Sequence, residues 1–412
     1  MDSSGTLLRA FKACLDEREA KGRRRRLQVA PLAAVDFSSN DFLSLSTSAL
    51  FRSHFLQSLA RESSLHSLAS KGSRLLDGNS TYAEELERFV ASFHNAESGL
   101  LFNSGYDANL SIFSCIPQPG DVILYDELIH ASAHDGMRLS RASRKIPFKH
   151  NSVDDFFRIA QSLVQEDPLI ALGEKNVLVA VESLHSMEGD IAPIVELLEI
   201  IKTVFPTGNG YMIVDEAHST GVFGPRGAGI VQELGVENRI FIRVHTFGKA
   251  LASHGAIVLC SHLTRDYLIN YARSLIYTTA MGMPSLVSTR AVYELMNQGV
   301  TETLSLQLHG LVRYMATKLK GLQQSDPLIL TIRHQNRSPI FCLQTSMPRK
   351  LASFLQAEGQ IVRAIVPPTV PKGTERVRVC MHARNTHEEI DKLIELIQEW
   401  VEQQRPGRPF RL

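Results

Sequence analysis

The feature that most constrains the fold is an alternation of short apolar runs with helical stretches through the middle of the chain. The apolar runs have the length of strands and lie at residues 122–125, 177–181, 212–214, 240–244 and 256–260. Buried strands separated by helices typically form a parallel sheet that the helices cover. The sequence therefore predicts an α/β fold built on a mostly parallel sheet.

The two ends of the chain have different patterns. A helix is predicted at residues 7–20, and four consecutive arginines follow at 23–26. Beyond about residue 290, a long helical segment precedes strands separated by the turn-forming residues 367–374. The chain is therefore predicted to have three parts: an N-terminal segment at 1–45, a large domain at 46–290 and a smaller α+β domain at 291–412.

Two helix starts carry the pattern of a capping box, in which a hydroxyl side chain and a carboxylate three residues later bond the first free N–H groups. Thr81 with Glu84 predicts the start of one helix. Thr386 with Glu389 predicts the start of the last helix, which presents one apolar stripe.

Composition argues against several classes of protein. The 412 residues carry a formal net charge of +1, so no surface for nucleic acid is expected. No apolar run is long enough to span a membrane, and no secretory signal is expected. The five scattered cysteines favour a reducing compartment. We expect a cytoplasmic protein, or a peroxisomal one if Phe410-Arg411-Leu412 acts like the Ser-Lys-Leu address.

Chemically active side chains follow several of the predicted strands directly. In such sheets, ligands bind beyond the carboxyl ends of the strands. Taken singly, each side chain has an ordinary explanation, such as a helix cap for Asp215 or a surface position for Lys249. Together they predict one site. Its residues are Ser104, Gly105, Tyr106, Glu182, Ser186, Asp215, His218, Thr246 and Lys249.

This set of side chains fits pyridoxal phosphate. Lys249 can hold the aldehyde of the cofactor as a Schiff base, and Asp215 can keep its pyridine nitrogen protonated. Backbone N–H groups at a helix start near Gly105, with the hydroxyl of Thr246, suit its phosphate. The string at 215–218 also marks one helicase class, but the chain lacks the GxxxxGK[ST] phosphate loop of that class.

His130 and His134 have the i,i+4 spacing of some zinc ligands. The pair lacks both the glutamate of an HExxH motif and a third ligand. The sequence therefore predicts no metal.

A series of strings in fixed order resembles the α-oxoamine synthase family of fold type I pyridoxal phosphate enzymes, which are class II aminotransferase-like. The strings include FSSNDFLSLS, FNSGYDAN, VDEAHSTGVFGPRGAG, HTFGKAL and PPTVPKGTERVRV, and they cover nearly the whole chain. The resemblance implies a large domain with a mostly parallel seven-stranded sheet, together with a smaller α+β C-terminal domain. It also implies an acyltransferase that uses pyridoxal phosphate.

The resemblance implies roles for the individual site residues. Lys249 would form the Schiff base and later remove the α-proton, while Asp215 would pair with the pyridinium nitrogen. His130 would stack on the ring and hydrogen-bond a thioester carbonyl. The other cofactor-binding residues would be Ser104, Gly105, Tyr106, Ser186, His218 and Thr246, with Thr278 and Thr279 at the phosphate of the neighbouring subunit of a homodimer.

The resemblance is greatest to the branch of the family that acts in biotin biosynthesis. That branch condenses L-alanine with a pimeloyl thioester of CoA or of a carrier protein. Arg378 would bind the carboxylate of the amino acid. Asn40 and Thr369 would lie beside the substrate. Arg24 or Arg25 would contact the acyl group.

Two alternatives remain at this point. One is a sister activity on the same scaffold, which joins glycine or serine to a different acyl-CoA, including in secondary metabolism. The other is a non-catalytic partner subunit of the same fold. Such subunits typically lack the lysine, and Lys249 is present here.

The chain departs from the family pattern at two places where the family commonly carries glycine. Ser44 replaces a glycine in the first string, and residues 252–254 read Ala-Ser-His. These departures leave the catalytic residues in place but put the acyl specificity in doubt.

Overall fold

The computed structural model describes residues 5–31, 33–323, 329–335 and 337–405. By compactness the chain divides into two units, Met1–Ala34 and Val35–Leu412. In the first unit, helix α1 (Thr6–Ala20) confirms the predicted N-terminal helix and has no buried residue. The extended stretch that follows contains the four arginines.

The second unit contains all the strands of the described chain, and they form three sheets. The strands are β1 (Val35–Asp36), β2 (Ser98–Phe102), β3 (Val122–Asp126), β4 (Arg144–Phe148), β5 (Val177–Glu182), β6 (Gly210–Asp215), β7 (Ile242–Thr246), β8 (Ala256–Cys260), β9 (Thr331–Arg333), β10 (Ile340–Gln344), β11 (Gln360–Ile361), β12 (Arg363–Ile365) and β13 (Arg376–Cys380).

The largest sheet has seven strands in the order β2-β8-β7-β6-β5-β3-β4. Strand β8 is antiparallel to both of its neighbours, and the remaining pairs are parallel, which confirms the predicted mostly parallel sheet. The parallel register sets Glu182 opposite Asp215, and Asp215 opposite Val244. The carboxyl ends of β5, β6 and β7 therefore lie side by side.

Helices of the second unit pack against this sheet and against the smaller sheet near the C-terminus. They are α2 (Ala49–Ser63), α3 (Thr81–Phe93), α4 (Gly105–Cys115), α5 (Ala131–Arg138), α6 (Val153–Glu166), α7 (Pro168–Ala171), α8 (Ile194–Val204), α9 (Ile230–Glu233), α10 (His262–Tyr271), α11 (Arg273–Ile276), α12 (Met283–Asn297), α13 (Val300–Gln323), α14 (Pro348–Ala357) and α15 (His387–Gln404). Successive strand residues enter two separate apolar clusters, because side chains alternate between the faces of a strand.

Strands β12, β13, β10 and β9 form a four-stranded antiparallel sheet near the C-terminus. It matches the predicted C-terminal strands, and helices α13, α14 and α15 accompany it. Strand β1 pairs in parallel with β11, so residues 35 and 36 join the same region of the chain. The predicted domain boundaries at 45 and 290 remain predictions.

One of the two predicted capping boxes is wrong. The N-cap of α3 is Ser80, whose side chain accepts a hydrogen bond from the Ala83 N–H, and Thr81 is already helical. Glu84 is then one residue too late for the box, and its carboxylate accepts from Asn79 Nδ2 at 2.7 Å. The predicted box of Thr386 and Glu389 at the start of α15 is confirmed.

Both places where this chain departs from the family's glycines contain a residue with left-handed backbone. Ser44 has φ of 55° and Ala252 has φ of 47°. This conformation costs an L-residue about 1–2 kcal/mol, whereas glycine adopts it freely. At Ser44, a hydrogen bond from the Arg384 N–H to its Oγ offsets part of this cost.

No helix among the described residues is long and apolar enough to cross a membrane. The tripeptide at 410–412 lies outside the described residues, so the peroxisomal alternative remains a prediction.

Candidate active site

A cavity of about 250 Å³ lies at the carboxyl ends of β5, β6 and β7. It brings together most of the residues predicted from the strand ends. These are Ser104, Gly105, Tyr106, His130, Asp215, His218, Thr246 and Lys249. The cavity is also lined by residues that were not predicted as cofactor ligands: Asn103, Asn109, Glu182, Ala217, Gly248, His254 and Gly255.

Asp215, the last residue of β6, is buried and held by two donors. Its Oδ1 accepts from the Ala217 N–H at 2.9 Å, and its Oδ2 accepts from Asn109 Nδ2 at 2.7 Å. Asn109 lies one turn into α4. The carboxylate is thus fixed in direction, with its negative charge facing the cavity.

The same Asn109 reaches His130 through Ser132. Asn109 Nδ2 donates to Ser132 Oγ at 3.1 Å, and Ser132 Oγ lies 2.7 Å from His130 Nδ1. Because Ser132 Oγ accepts from Asn109, its hydroxyl proton is available for His130. The Ser132 N–H also donates to Nδ1, at 3.3 Å. Nδ1 is therefore an acceptor, and a neutral His130 carries its proton on Nε2.

Lys249 lies in the loop between β7 and β8. Backbone hydrogen bonds close this loop: Ser253 N–H donates to Phe247 O, and Ala252 N–H donates to Lys249 O. Burial lowers the pKa of the Lys249 ammonium, and the charge of Arg378 adds to this, whereas Asp215 and Glu182 raise it. The pKa stays below its usual value, which favours a lysine that can give up its proton.

Glu182, the last residue of β5, is a buried carboxyl beside the charged pair. Burial and the negative charge of Asp215 raise its pKa to about 8, against the opposing effects of Lys249 and the Ser186 N–H. Its Oε1 has no hydrogen-bond partner within the described part of the chain. With a pKa of about 8, Glu182 is mostly protonated at neutral pH.

His218 is a buried, neutral imidazole. Burial holds its pKa well below the usual value, and the nearby cations Lys249 and Arg378 lower it further. Nδ1 has no partner among the described residues. The ring therefore has an acceptor or donor atom left for a bound molecule.

The start of helix α4 is suited to an anion. Ser104 caps the helix by accepting from the Asp107 N–H, and free N–H groups follow it. A Cβ atom at Gly105 would meet Thr246 Cγ2 at 2.4 Å. Only glycine therefore lets the helix start approach Thr246 this closely.

Arg378, on β13, does not line the cavity, but its charge acts on Lys249 and His218. It is buried, and its NH2 donates to Asn40 Oδ1 at 2.8 Å. Its Nε has no partner within the described residues. Asn40 thus orients a guanidinium that still has an N–H to offer.

Besides Asn40 and Arg378, four predicted residues of the second unit lie outside the lining of this cavity. Ser186 is half-buried behind Glu182. Asn103 Nδ2 donates to Thr278 Oγ1 and to the Thr279 carbonyl. Thr369 is exposed in a turn. The roles of these residues remain predictions.

Arg24 and Arg25 belong to the N-terminal unit. Arg24 Nε lies 3.6 Å from the Glu19 carboxylate, in an exposed ion pair. Their predicted contact with an acyl group remains a prediction.

Comparisons with known proteins identify the family of the chain. A family model for aminotransferase class I and II matches residues 33–397. The 8-amino-7-oxononanoate synthase of Emericella nidulans is 59% identical over 401 residues, which cover 97% of this chain and 97% of that protein. The aminoacyl transferase sphA of Aspergillus fumigatus is 42% identical over 374 residues, which cover 88% of this chain and 79% of that protein.

A solved structure of serine palmitoyltransferase from S. paucimobilis, with a bound PLP–myriocin aldimine, superimposes with a TM-score of 0.80. It is 23% identical and covers 95% of this chain and 96% of that chain. This likeness shows a shared fold.

We predict that Glu182→Gln becomes more stable than the wild type as the pH rises. The pKa of Glu182 is raised from 4.5 to about 8 in the folded protein. Its contribution to the free energy of unfolding of the wild type is therefore fully present below pH 4.5 and is lost as the pH rises through about 8. The difference should grow between about pH 5 and 8, by at most about 1.4 kcal/mol per pH unit, and then stay constant. Urea unfolding followed through the buried Trp400 measures it.

Glu174→Gln, at an exposed position, is the matched control and should give a flat difference. If the free energies of unfolding of the wild type and Glu182→Gln change with pH in parallel across this range, the raised pKa of Glu182 is contradicted.

Proposed function

Because the chain belongs to the class I and II aminotransferases, as a pyridoxal phosphate-dependent α-oxoamine synthase, we propose that it condenses L-alanine with a pimeloyl thioester. The products are 8-amino-7-oxononanoate, CO2 and the free thiol. A new C–C bond joins the alanine Cα to the thioester carbonyl carbon, the C–S bond breaks, and the alanine carboxylate leaves as CO2. The place of this reaction is biotin biosynthesis.

The choice of substrates is supported by the Emericella nidulans relative, whose name gives its product. In 8-amino-7-oxononanoate, the methyl and amino-bearing carbons are those of decarboxylated alanine, and the rest is a pimeloyl group. The observation that carries the catalytic part is the cavity in which Lys249 faces the anchored Asp215.

The residues around the cavity fit pyridoxal phosphate. Gly105 lets the start of α4 come close to Thr246, so backbone N–H groups and a hydroxyl lie together at the cavity and suit a phosphate. His218 and Glu182, which also line this cavity, have buried polar atoms without a partner among the described residues. When bound, the cofactor supplies an electron sink for charge at the amino acid Cα. The residues that would hold it are Lys249 at the aldehyde, Asp215 at the ring nitrogen, His130 at the ring face, His218 and Ser186 at the phenolic oxygen, and Ser104, Gly105, Tyr106 and Thr246 at the phosphate.

Lys249 Nζ is the base that removes the α-proton of L-alanine. A base needs a pKa near the working pH, and burial together with Arg378 lowers the pKa of Lys249 in that direction. Asp215 stays beside it as a fixed negative charge. Glu182 raises the pKa of Lys249 only when it is ionised, and its own raised pKa limits that effect near neutral pH.

Arg378 binds the carboxylate of L-alanine. Its guanidinium is buried, so a contact with a carboxylate is worth more there than in water. Asn40 occupies one NH2 proton and leaves the Nε–H for the substrate. Thr369 would lie beside the substrate.

His130 donates from Nε2 to the thioester carbonyl oxygen. The Asn109–Ser132 pair fixes the proton on Nε2, so the ring can donate without first taking up a proton. Negative charge grows on this oxygen as the C–C bond forms, and a donor fixed in advance stabilises it.

A second candidate is a sister reaction, with glycine or serine and another acyl thioester. The aminoacyl transferase sphA supports this candidate, because it has a different name from the oxononanoate synthases and is still 42% identical over most of this chain. A non-catalytic partner subunit is disfavoured, since Lys249, Asp215 and His218 line one cavity.

A panel of substrates tests the proposal. We expect the highest kcat/KM for L-alanine with pimeloyl thioester, measured by CO2 release and product mass, against glycine and L-serine with acetyl, succinyl and palmitoyl thioesters. Lys249→Ala should lower turnover by at least about 100-fold, because it removes the base. It should also change the visible absorption of the bound cofactor, because the cofactor aldehyde can no longer bond to Lys249.

A preference for glycine or serine contradicts the proposed substrates and leaves the family assignment intact. Full turnover by Lys249→Ala contradicts the catalytic role itself.

We infer that the active enzyme is a homodimer in which Thr278 and Thr279 serve the phosphate of the partner's site. Mixing Lys249→Ala with a Thr278→Val/Thr279→Val variant tests this. Shared sites regain about one quarter of wild-type activity, since about half the dimers are mixed and each of these has one intact site. No recovery after subunit exchange, confirmed by mass spectrometry, contradicts the sharing.

A further inference from the structure

Three potential metal ligands meet at the carboxyl ends of neighbouring strands. Asp126 is the last residue of β3, His150 follows β4, and His185 follows β5. One ligand atom from each lies within 4.8 Å of the others. Asp126 and His185 are fully buried, and His150 is half-buried.

His185 is the unexplained member of this group. Neither of its ring nitrogens has a hydrogen-bond partner within the described residues. Its Nε2 lies 4.0 Å from Asp126 Oδ2, which is too far for a hydrogen bond. Its ring packs against that of His150, with centroids 4.5 Å apart. A buried polar ring with no protein partner is rare and points to a ligand outside the chain, such as an ion or a water.

We propose that Asp126, His150 and His185 bind a divalent transition-metal cation of the Zn²⁺ type. Two imidazoles and a carboxylate are the ligands that zinc takes in proteins, with a fourth position left for water or another oxygen. This proposal departs from the expectation of no metal, which was drawn from sequence spacing alone. The members of the cluster come from three separate strand ends, so no short motif contains them.

The surroundings of His150 match those of a metal ligand. Its Nδ1 is hydrogen-bonded to Asp126 Oδ1 at 2.8 Å, and its Nε2 to the Asp190 carboxylate at 2.9 Å. A cation would replace the proton that Nδ1 shares with Asp126. Metal-bound histidines almost always donate their other N–H to such a group, which fixes the ring. Asp190 and His150 also line a cavity of about 790 Å³, through which an ion can enter. This cavity shares no lining residue with the cavity at Lys249.

The competing explanation is that a proton alone holds the cluster. A protonated His150 between Asp126 and Asp190 satisfies those three side chains. A protonated His150 leaves both ring nitrogens of His185 without a partner among the described residues. A cation between His185, Asp126 and His150 would bind one of these nitrogens. The metal would tie together the ends of β3, β4 and β5 and thereby steady Glu182 at the end of β5.

Cobalt titration of the holoenzyme tests the site. Tag-free, cofactor-saturated protein is treated with EDTA, dialysed and titrated with Co²⁺. We expect one Co²⁺ per chain, with visible d–d bands, displacement by Zn²⁺ and a higher Tm. Because Asp190 orients a ligand, Asp190→Asn should weaken affinity about 10- to 100-fold. His185→Leu should abolish the bands, and His262→Ala, which changes an exposed histidine, should keep them.

Wild-type protein that binds no Co²⁺ overturns the proposal, whatever the variants do. Bands that persist in His185→Leu, or bands with the near-ultraviolet absorption of a thiolate ligand, assign the cation to another place such as the exposed Cys14. If His185→Leu does not fold, an unchanged Co²⁺ affinity in Asp190→Asn overturns the proposal instead.

Discussion

The parallel pairing of β5, β6 and β7 is the constraint on which the site depends. It sets the carboxyls of Glu182 and Asp215 side by side, next to the loop that carries Lys249. Two adjacent buried carboxylates cannot both ionise without a large cost. Asp215 has two N–H donors and Glu182 has an oxygen with none, so the charge stays on Asp215.

A second consequence follows from Asn109, which bonds both Asp215 and Ser132. One amide group therefore fixes the direction of the carboxylate and, through Ser132, the tautomer of His130. The orientation of Asp215 and the hydrogen-bond donor of His130 therefore both depend on Asn109 of α4. A site built this way needs little rearrangement when charge moves during a reaction.

Much of this arrangement could be predicted from the sequence. Apolar runs predict the strands, and the residues that directly follow each run must lie at the carboxyl edge of the sheet, where ligands bind. Lys249, Asp215, His218 and Thr246 were found in this way. Asn109 and Ser132 were missed, since a polar residue inside a helix gives no sign of the partner it meets across the fold. Glu182 was noted at its strand end, but only the register against β6 shows why its pKa rises.

The wrong capping box at α3 reflects competition between two neighbouring residues for the N-cap position. Ser80 and Thr81 are both good caps, and the bond from Asn79 to Glu84 removes the acid that a cap at Thr81 would need. The left-handed backbone at Ser44 and Ala252 could be anticipated only from the family's glycines. Asp126, His150 and His185 come from the ends of three separate strands, so no fixed spacing in the sequence could predict that they meet.

The central claim is that Lys249 removes the α-proton of L-alanine. The most direct measurement is proton NMR of L-alanine in D2O with cofactor-saturated protein and no thioester. The account predicts that the α-proton signal decays with wild-type protein, that the alanine remains otherwise intact, and that Lys249→Ala stops the decay. An α-proton that persists with wild-type protein, or that exchanges equally fast with Lys249→Ala, contradicts it.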